Sequence, residues 1–468
     1  MVVVGGGPAG LTAAWALAKS GVPSVVLEKD DGWGGHARTV EHRGYLFDVG
    51  GHRFFTKIPE VLRIWQEVMD EGFLAVPRLS RILYKGRFFA YPLKPFQALR
   101  QMGLFESAWV AGSYLRKKLF PVRPEATLEA WMSNRFGRRL FLMFFKSYTE
   151  KVWGIPCTEI RAEWAAQRIK TLTLWRALKN ALWPGKDQPR SLIEVFDYPE
   201  KGPGMLWTRM AQRLLEWKQE LHLGHEVVCV RWSGRRVSAV VTRTGTTREE
   251  EHHGSDFIVS MPLQELVLAL DPPAPPDVQA HARALRYRDF ITVALVIKKA
   301  KVFPDNWIYI HTPEVFVGRI QNFKNWSAGM VPDPETTCLG LEYFCNEGDH
   351  LWSQPDSELV ALARRETVAL GFALERDIAD GAVVRQKKAY PVYDASYRGH
   401  LEALRAFLSG YSNLQMVGRN GLHKYNNQDH AMLTSLLAVR NVLGEKHDVW
   451  AVNTEEEYHE ARADPSAE

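Results

Sequence analysis

Residues 1–10, MVVVGGGPAG, join a short apolar run to a glycine-rich turn, and the alanine-rich residues 11–20 follow at once. This pattern predicts a strand, a tight turn and a helix. Gly5 permits the turn, Gly7 lets backbone N–H groups approach a pyrophosphate at the helix N-terminus, and Gly10 lets the helix pack closely on the strand. The stretch therefore predicts the first half of a dinucleotide-binding unit.

A second predicted strand ends in an acidic residue. Residues 24–27, SVVL, are apolar, and Glu28 follows about 20 residues after the first glycine, which is the spacing of a βαβ unit. A carboxylate at this point accepts hydrogen bonds from the hydroxyls of a ribose. This context favours a dinucleotide site over an ordinary glycine turn, and it leaves NAD and FAD as alternatives.

A second glycine pair separates these alternatives. Gly34 and Gly35 are followed by Arg38, and here the chain resembles the large flavoprotein group that includes amine oxidases, protoporphyrinogen oxidase and UDP-galactopyranose mutase. In that group the matching glycines and arginine hold the FAD diphosphate. Some amine-oxidase-like relatives attach flavin through a cysteine near the C-terminus, whereas the last cysteine here is Cys345. The resemblance therefore implies non-covalent FAD.

Composition limits the class of protein further. The chain has 468 residues, of which 46% are hydrophobic and 24% charged, as in a globular protein. No apolar run reaches the ~20 residues of a membrane span, and residue 1 leads directly into the first predicted strand, so we expect a cytoplasmic protein. The four cysteines lack the spacing of a disulfide framework or a metal site. A net charge of +5 suits an anionic small-molecule substrate, and no concentrated basic stretch indicates a nucleic-acid partner.

The whole pattern predicts a fold of the α/β and α+β classes. A Rossmann-type FAD-binding domain is predicted to be discontinuous, with the ranges 1–58, 203–275 and 411–450. Residues 59–202 predict a mainly helical substrate or insertion domain, because their apolar residues follow helical spacing. Residues 285–400 alternate as antiparallel strands and predict a sheet in a substrate domain. Residues 454–468 are polar and predict a flexible tail.

Individual helices and strands are predicted within residues 59–202 and 285–400. Helices are expected at 61–69, 93–102, 105–119, 128–136 and 140–148. Antiparallel strands are expected at 291–297, 307–311, 316–322 and 338–344. Residues 105–123 mix aromatic with basic side chains. They predict either a helix with a core-facing side and a solvated basic side, which is the favoured interpretation, or a contact with a membrane surface or a partner.

Three strings resemble UDP-galactopyranose mutase in particular, namely 50–56 (GGHRFFT), 148–154 (YTEKVWG) and 418–425 (GRNGLHKY). By position, the resemblance implies that Tyr148 and Trp153 line a nucleotide pocket. It also implies that Tyr425 binds the diphosphate and that His52 lies at the flavin near N5. Departures from the family's pattern leave altered specificity or a sugar oxidation open; they are Val152, His423 and Asn427.

The resemblance also implies sets of site residues. The implied cofactor-binding residues are Gly5, Gly7, Pro8, Ala9, Gly10, Glu28, Lys29, Gly34, Gly35, Arg38, Gly50, Gly51, His52, Val227, Gly418, Arg419, Asn427 and Gln428. The implied substrate-binding residues are Tyr148, Trp153, Arg168, Arg319, Tyr390 and Tyr425. The implied catalytic residues are His52, Arg319 and Tyr425. A buried diphosphate needs arginine forks, and the candidate forks are Arg53, Arg168, Arg319 and Arg398.

Two functions from different classes remain open. The first is an enzyme similar to the mutase, which acts on a nucleotide-linked sugar through the flavin N5 without net redox change and needs an electron donor to keep FAD reduced. The second is an oxidoreductase that takes a hydride from a C–N or C–C bond and passes electrons to an acceptor. It would need an apolar aromatic cage without phosphate forks. A non-catalytic FAD-bound scaffold is a third, less favoured class.

Overall fold

The computed structural model describes residues 1–70, 72–93, 95–162 and 194–453. These residues form a parallel sheet with helices, a larger mostly antiparallel sheet and a group of helices beside it. The predicted α/β and α+β fold class is confirmed. Two predictions, Arg168 as a substrate ligand and the tail at 454–468, lie outside the described residues.

A five-stranded parallel sheet carries the N-terminal glycine turn. In spatial order its strands are β20 (Leu414–Met416), β13 (Phe257–Val259), β1 (Val2–Val4), β2 (Val25–Leu27) and β9 (Glu220–His222). All residues of β1 and β13 are buried, as expected for inner strands of a parallel sheet covered by helices. Strands that are distant in sequence therefore end side by side.

A seven-stranded sheet forms the second layer. In spatial order its strands are β19 (Ile378–Pro391), β15 (Tyr287–Ile297), β18 (Thr337–Cys345), β17 (Arg319–Asn322), β16 (Trp307–Ile310), β6 (Ser80–Tyr84) and β7 (Arg87–Ala90). Neighbouring strands are antiparallel except β16 and β6, which are parallel. The four strands expected between residues 291 and 344 are confirmed, with small shifts at their ends.

Some strands were not predicted. β6 and β7 come from the region expected to be mainly helical, as does β5 (Phe73–Pro77), which pairs with β8 (Val195–Pro199). These strands are four or five residues long, too short for a clear two-residue period. β19 has mostly half-buried positions and shifts in its register, so its hydrophobic alternation is weak. The boundaries of the three predicted domains stay predictions.

The remaining strands form smaller sheets. A four-stranded sheet has the order β12 (Arg248–His253), β11 (Arg236–Thr244), β10 (Glu226–Ser233) and β14 (Leu270–Asp271). A hairpin consists of β3 (Thr39–His42) and β4 (Tyr45–Asp48). This hairpin leads directly into the second glycine-histidine string, so its anchoring bears on the site.

The helices of the described residues are α1 (Pro8–Lys19), α2 (Pro59–Met69), α3 (Pro95–Met102), α4 (Leu104–Leu119), α5 (Leu128–Phe136), α6 (Arg138–Phe141), α7 (Ser147–Trp153), α8 (Gly204–Glu216), α9 (Leu263–Leu268), α10 (Pro276–Ala284), α11 (Asp356–Ala369), α12 (Tyr397–Leu408) and α13 (Gln428–Val442). A π-helical turn, Leu142–Lys146, joins α6 to α7. The five predicted helical segments before residue 150 are confirmed, the last of them divided by this turn. Among the described helices, none combines the length and apolarity that crossing a membrane requires.

A buried carboxyl group anchors the end of β4. Asp48 accepts hydrogen bonds from the Thr39 hydroxyl at 3.0 Å and from the Tyr198 hydroxyl at 2.5 Å. Thr39 in turn accepts the Gly204 N–H at 3.0 Å. Burial disfavours the charged carboxylate and raises the pKa of Asp48 to about 8. This network joins the β-hairpin to β8 and α8, just before the glycine pair at 50–51.

The pKa of Asp48 predicts a pH dependence of stability. Between pH ~4, where an unfolded aspartate loses its proton, and pH ~8, the folded chain keeps a proton that the unfolded chain has lost. The free energy of unfolding should therefore fall as pH rises through this window. Asp48→Asn should remove this loss. Urea unfolding of the parent protein and the Asp48→Asn variant between pH ~4 and pH ~8 checks this. If the free energies of unfolding of the two proteins changed with pH in parallel, the prediction would be contradicted.

Candidate functional site

Four residues meet at the carboxyl ends of adjacent parallel strands. Gly5 follows β1, Glu28 follows β2, Ser260 follows β13, and Gly418 lies just after β20. Ligands of open α/β sheets bind outside the carboxyl ends of their strands. The N-terminus of α1, with Gly7 as its cap residue, opens on the same place. The fold thus places the glycine turn where a pyrophosphate is expected.

The first glycine turn allows close packing of helix on strand. A Cβ at Gly10 would lie 1.7 Å from the Gly5 carbonyl oxygen, so no larger residue fits there. Gly7 instead lines the cavity, and a Cβ there would meet no protein atom closer than 3.8 Å. The two glycines therefore have different roles: Gly10 packs the helix, and Gly7 leaves open space in front of the helix N-terminus.

Glu28 is buried beside this turn. Its Oε2 accepts the Gly6 N–H at 2.5 Å, and its Oε1 accepts the Asp30 N–H at 2.8 Å. Burial is the main cause that raises its pKa. Each oxygen keeps further lone pairs, so the carboxylate can also accept ribose hydroxyls. Lys29 and Val227 line the same end of the cavity.

The second glycine turn is held by Arg38. One guanidinium nitrogen of Arg38 donates to the Gly35 carbonyl at 2.9 Å and to the Gln386 side chain at 2.8 Å. Arg38 and Gly34 do not line the cavity among the described residues, whereas Gly35 does. In this structure Arg38 positions the turn, and Gly35 forms the wall opposite Gly7.

The third glycine turn brings a neutral histidine to the cavity. Gly50 has a φ of +92°, a conformation that side-chain-bearing residues rarely adopt. His52 follows, and its Nε2 lies 3.0 Å from the Val49 carbonyl oxygen, which requires a proton on Nε2. Burial, assisted by Arg419, lowers the pKa of His52 to about 4. His52 is thus neutral near pH 7.

A cavity of about 1450 Å³ joins these turns. Binding sites for single small ligands are commonly about 300–1,000 Å³, so this cavity has room for a dinucleotide and a second molecule. The predicted cofactor-binding residues that line it are Gly5, Gly7, Pro8, Ala9, Glu28, Lys29, Gly35, Gly50, Gly51, His52, Val227, Gly418, Arg419, Asn427 and Gln428. Three others, Gly10, Gly34 and Arg38, lie behind this wall.

A buried ionic network forms one side of the cavity. Arg319 donates to one carboxylate oxygen of Glu342 through two nitrogens, at 2.7 and 2.6 Å. Gln321 donates to the other oxygen at 2.6 Å. A Cβ at Gly51 would lie 2.9 Å from the Gln321 side chain, so the network reaches the third glycine turn. Burial alone would lower the pKa of Arg319, but the ion pair with Glu342 opposes it, and the pKa is raised, so Arg319 stays charged.

Two pairs of stacked aromatic rings line the cavity together with Arg319. Tyr148 stacks on His311, with ring centroids 4.8 Å apart and planes 8° apart. Tyr390 stacks on Tyr425, with centroids 5.6 Å apart. Burial raises the pKa of both Tyr148 and Tyr390, so their hydroxyls stay protonated and can donate hydrogen bonds. These tyrosines and Arg319 together form a group of donors on the cavity wall.

Arg419 completes the tyrosine stack. Its guanidinium carbon lies 4.3 Å from the Tyr425 ring centroid and 5.4 Å from that of Tyr390. In the part of the chain that the structure describes, its Nε is buried without a hydrogen-bond partner. A buried cation with an unsatisfied donor suits an anionic ligand, because leaving the donor unpaired is costly.

Lys151 of the string 148–154, and Arg288, which contacts that string, have structural roles. Lys151 donates to the main-chain carbonyls of Thr312 and Val317, at 2.7 and 3.2 Å. Arg288 donates to the carbonyls of Val152 and Phe344 and thereby ties the end of α7 to the large sheet. Neither side chain lines the cavity in the described chain. Trp153 lines it from the same helix end.

The structure brings together most of the predicted substrate residues. Those that line the cavity are Tyr148, Trp153, Arg319, Tyr390, Tyr425, Arg53 and Arg398. The sequence interpretation missed His311, Gln321 and Glu342. Glu342 is the one charged residue within the apolar run 338–345. A charge in such a run indicates a buried carboxylate, and a buried charge needs a partner. Gln321 shares the face of Arg319, two residues away on β17.

The cavity continues as an apolar lobe away from the glycine turns. Side chains of α3 to α7 and the π-helical turn line it, namely Leu99, Met102, Val110, Met132, Leu140 and Phe144. No cysteine of the described residues lines any part of the cavity. The cavity thus has a polar and aromatic part near the glycine turns and an apolar part under the helices.

Comparison with known proteins gives a consistent family. The sequence model of the flavin-containing amine oxidoreductases matches residues 8–442. L-amino-acid oxidase from Crotalus adamanteus is 23% identical over 340 residues, which cover 66% of this chain and 60% of that protein. The chain thus spans less than two thirds of the length of that relative.

Solved structures show the same fold over nearly the whole chain. The structure of reduced UDP-galactopyranose mutase has a TM-score of 0.83 at 21% identity and covers 98% of both chains. A putative protoporphyrinogen oxidase from Exiguobacterium sp. 255-15 has a TM-score of 0.71 at 16% identity and covers 94% of this chain and 98% of its own. At these identities the likeness concerns the fold.

Proposed function

The chain belongs to the flavin-containing amine oxidoreductase family and is a flavin-dependent enzyme, and on this premise we propose that it binds FAD non-covalently and converts a nucleotide-linked sugar. The observation that carries the proposal is the donor group of Arg319, Arg419 and the cavity tyrosines beside the glycine turns. The mutase-like strings supply the specific substrate class. A cytoplasmic location stays a prediction.

The residues present fit FAD. The N-terminus of α1 and the backbone at Gly7 and Gly35 would bind its diphosphate, and Glu28 would bind its ribose. The N-terminus of α13, which begins at Gln428, would face the pyrimidine ring with its positive dipole end. The absence of a cysteine from the described cavity wall supports non-covalent binding. When bound and reduced, FAD would supply a nucleophilic ring nitrogen; when oxidised, a hydride acceptor.

The chain's own residues would bind and orient the substrate. Arg319 and Arg419 would neutralise the diphosphate, and the Tyr390 and Tyr425 hydroxyls would donate to its oxygens. Stacking on His311 holds the ring of Tyr148 in a fixed orientation, and this ring would stack on the nucleobase. Neutral His52 would lie at the flavin, where the third glycine turn places it on the cavity wall. A mutase cycle leaves no net electrons behind, so a separate electron donor would be needed once, to reduce the flavin.

Titration of the purified yellow protein tests this function. Under dithionite reduction we expect UDP and UDP-galactopyranose to bind and the sugar to be converted. Tyr148→Leu should weaken UDP binding by about tenfold, because stacking on a base contributes about 1–3 kcal/mol. Tyr148→Phe keeps the ring and should retain affinity. Absence of UDP binding to the reduced protein would overturn the proposal.

The apolar lobe favours a second candidate, an oxidase of an apolar amine or porphyrinogen. Its lining under α3 to α7 has the character of the apolar cage that such a substrate needs. Hydrogen peroxide formed under air with an amine or porphyrinogen, together with no binding of UDP, would establish this alternative.

A further inference from the structure

The helix α4 has an unusual distribution of apolar side chains. Its exposed large residues include Leu104 and Phe105, at 90% and 94% exposure, and Trp109 at 69%. Seven of the 17 exposed large hydrophobic residues in the described chain lie between residues 104 and 122. Single exposed apolar residues are normal on a protein surface, but a concentration of this kind marks an interaction site.

These residues form one stripe along α4. Positions 104, 108, 115 and 119 and positions 105, 109 and 112 follow three- and four-residue steps, so they share one side of the helix. They are leucine, alanine, phenylalanine, tryptophan and glycine, and all are exposed. We call this side, with Phe120 after the helix end, the outer face of α4.

The opposite side of α4 is fixed to the protein. Val110 is 2% exposed, and Glu106 forms an ion pair with Arg139. A Cβ at Gly137 would lie 2.8 Å from the Tyr114 backbone nitrogen, so this part of the helix packs closely on the turn before α6. The outer face is therefore held toward solvent by packing, contrary to the favoured interpretation in which apolar residues of this segment face the core.

Basic residues flank the outer face. Arg116, Lys117 and Lys118 lie in the last turn of α4, and Arg123 follows it. Glu106 is the acidic residue of α4 and already has a cationic partner. An apolar stripe with an exposed tryptophan and adjacent cations suits the interface of an anionic bilayer. Two copies of this face packed with their helices parallel would bring these like charges together, which disfavours that form of self-association.

We propose that the outer face of α4 docks on an anionic lipid bilayer. Phe105, Trp109 and Leu115 would enter the acyl boundary, while Arg116 and Lys118 would contact lipid phosphates. Val110, on the inner side of the same helix, lines the apolar lobe of the cavity. Docking would thus place that lobe next to the membrane. The proposal does not depend on the identity of the substrate.

Vesicle sedimentation of the flavin-loaded protein tests this docking. We expect binding to vesicles of phosphatidylcholine mixed with phosphatidylglycerol and little binding to phosphatidylcholine alone. The double variant Phe105→Glu with Trp109→Glu should reduce binding by at least about tenfold, because it replaces buried apolar area by charges in the interface. Arg116→Gln with Lys118→Gln should remove the preference for the anionic lipid.

The control places the same charges elsewhere. Leu215→Glu with Leu443→Glu changes two leucines that are 53% and 49% exposed and lie outside α4, and it should bind vesicles as the parent protein does. Flavin content of every variant reports whether it folds. Failure of the parent protein to bind mixed vesicles overturns the proposal. So does a dimer that Phe105→Glu dissociates, because the occupant of the face would then be a second copy.

Discussion

Replacement of Gly7 by valine should give a folded protein that has lost most of its flavin. Gly7 has φ −83° and ψ −173°, a conformation open to valine, and an added Cβ would lie 3.8 Å from its nearest protein atom, in Gly35. The side chain would instead fill the space between Gly7 and Gly35 in front of α1. We expect flavin affinity to fall by at least about tenfold, because overpacking typically costs about 1–3 kcal/mol.

The ratio of flavin to protein absorbance after purification measures this effect, and circular dichroism shows whether the fold is kept. The matched control is Gly399→Val, since Gly399 lies in α12 with open space around it and does not line the cavity. Unchanged flavin content in the Gly7 variant would refute the assignment of the α1 N-terminus to the diphosphate.

Arg319→Lys should lower the catalytic efficiency on a nucleotide-linked sugar by about a hundredfold, as expected when one partner of a buried charge pair loses its geometry. Lysine keeps the positive charge but not the planar fork with which Arg319 holds Glu342 and faces the cavity. The catalytic efficiency is therefore expected to fall because the geometry of the side chain changes, and the flavin content should stay unchanged.

The control for this variant lies in the same sheet. Arg81 on β6 forms a two-point contact with the buried Asp305, at 2.8 and 2.6 Å, and does not line the cavity. Arg81→Lys should weaken the sheet to a similar degree without affecting kcat/KM. Equal losses of activity in the two variants would show that Arg319 acts only through stability.

Local signals account for what the sequence predicted well. The strand, glycine turn and helix at residues 1–20 lie next to each other in the chain, so their pattern could be recognised directly. The partner of Arg319 could not be recognised in this way. Glu342 lies opposite Arg319 because of the register in which β17 pairs with β18, and that register is not visible in the sequence. Short strands such as β6 are stabilised mainly by contacts with strands that are distant in sequence, and their own residues show little hydrophobic alternation.

Helix α4 illustrates a second limit. Its apolar spacing predicted a helix correctly, but spacing gives the side on which apolar residues lie and not the direction in which that side faces. That direction depends on the burial of Val110 and on the ion pair of Glu106 with Arg139 of α6. Sequence patterns therefore predicted the element and left its orientation to tertiary packing.

The strand order of the parallel sheet has a consequence for biosynthesis. β1 lies between β13 and β2, and β20 closes the edge next to β13. When residues 1–260 have emerged from the ribosome, the first glycine turn has been synthesised. Gly418, Arg419 and the N-terminus of α13 have not. Since chains emerge at about 5–20 residues per second, the nascent protein must wait for its last segment before the pocket exists. Under the proposed assignment of these residues to the cofactor, we expect flavin binding to be a late step in the formation of the protein.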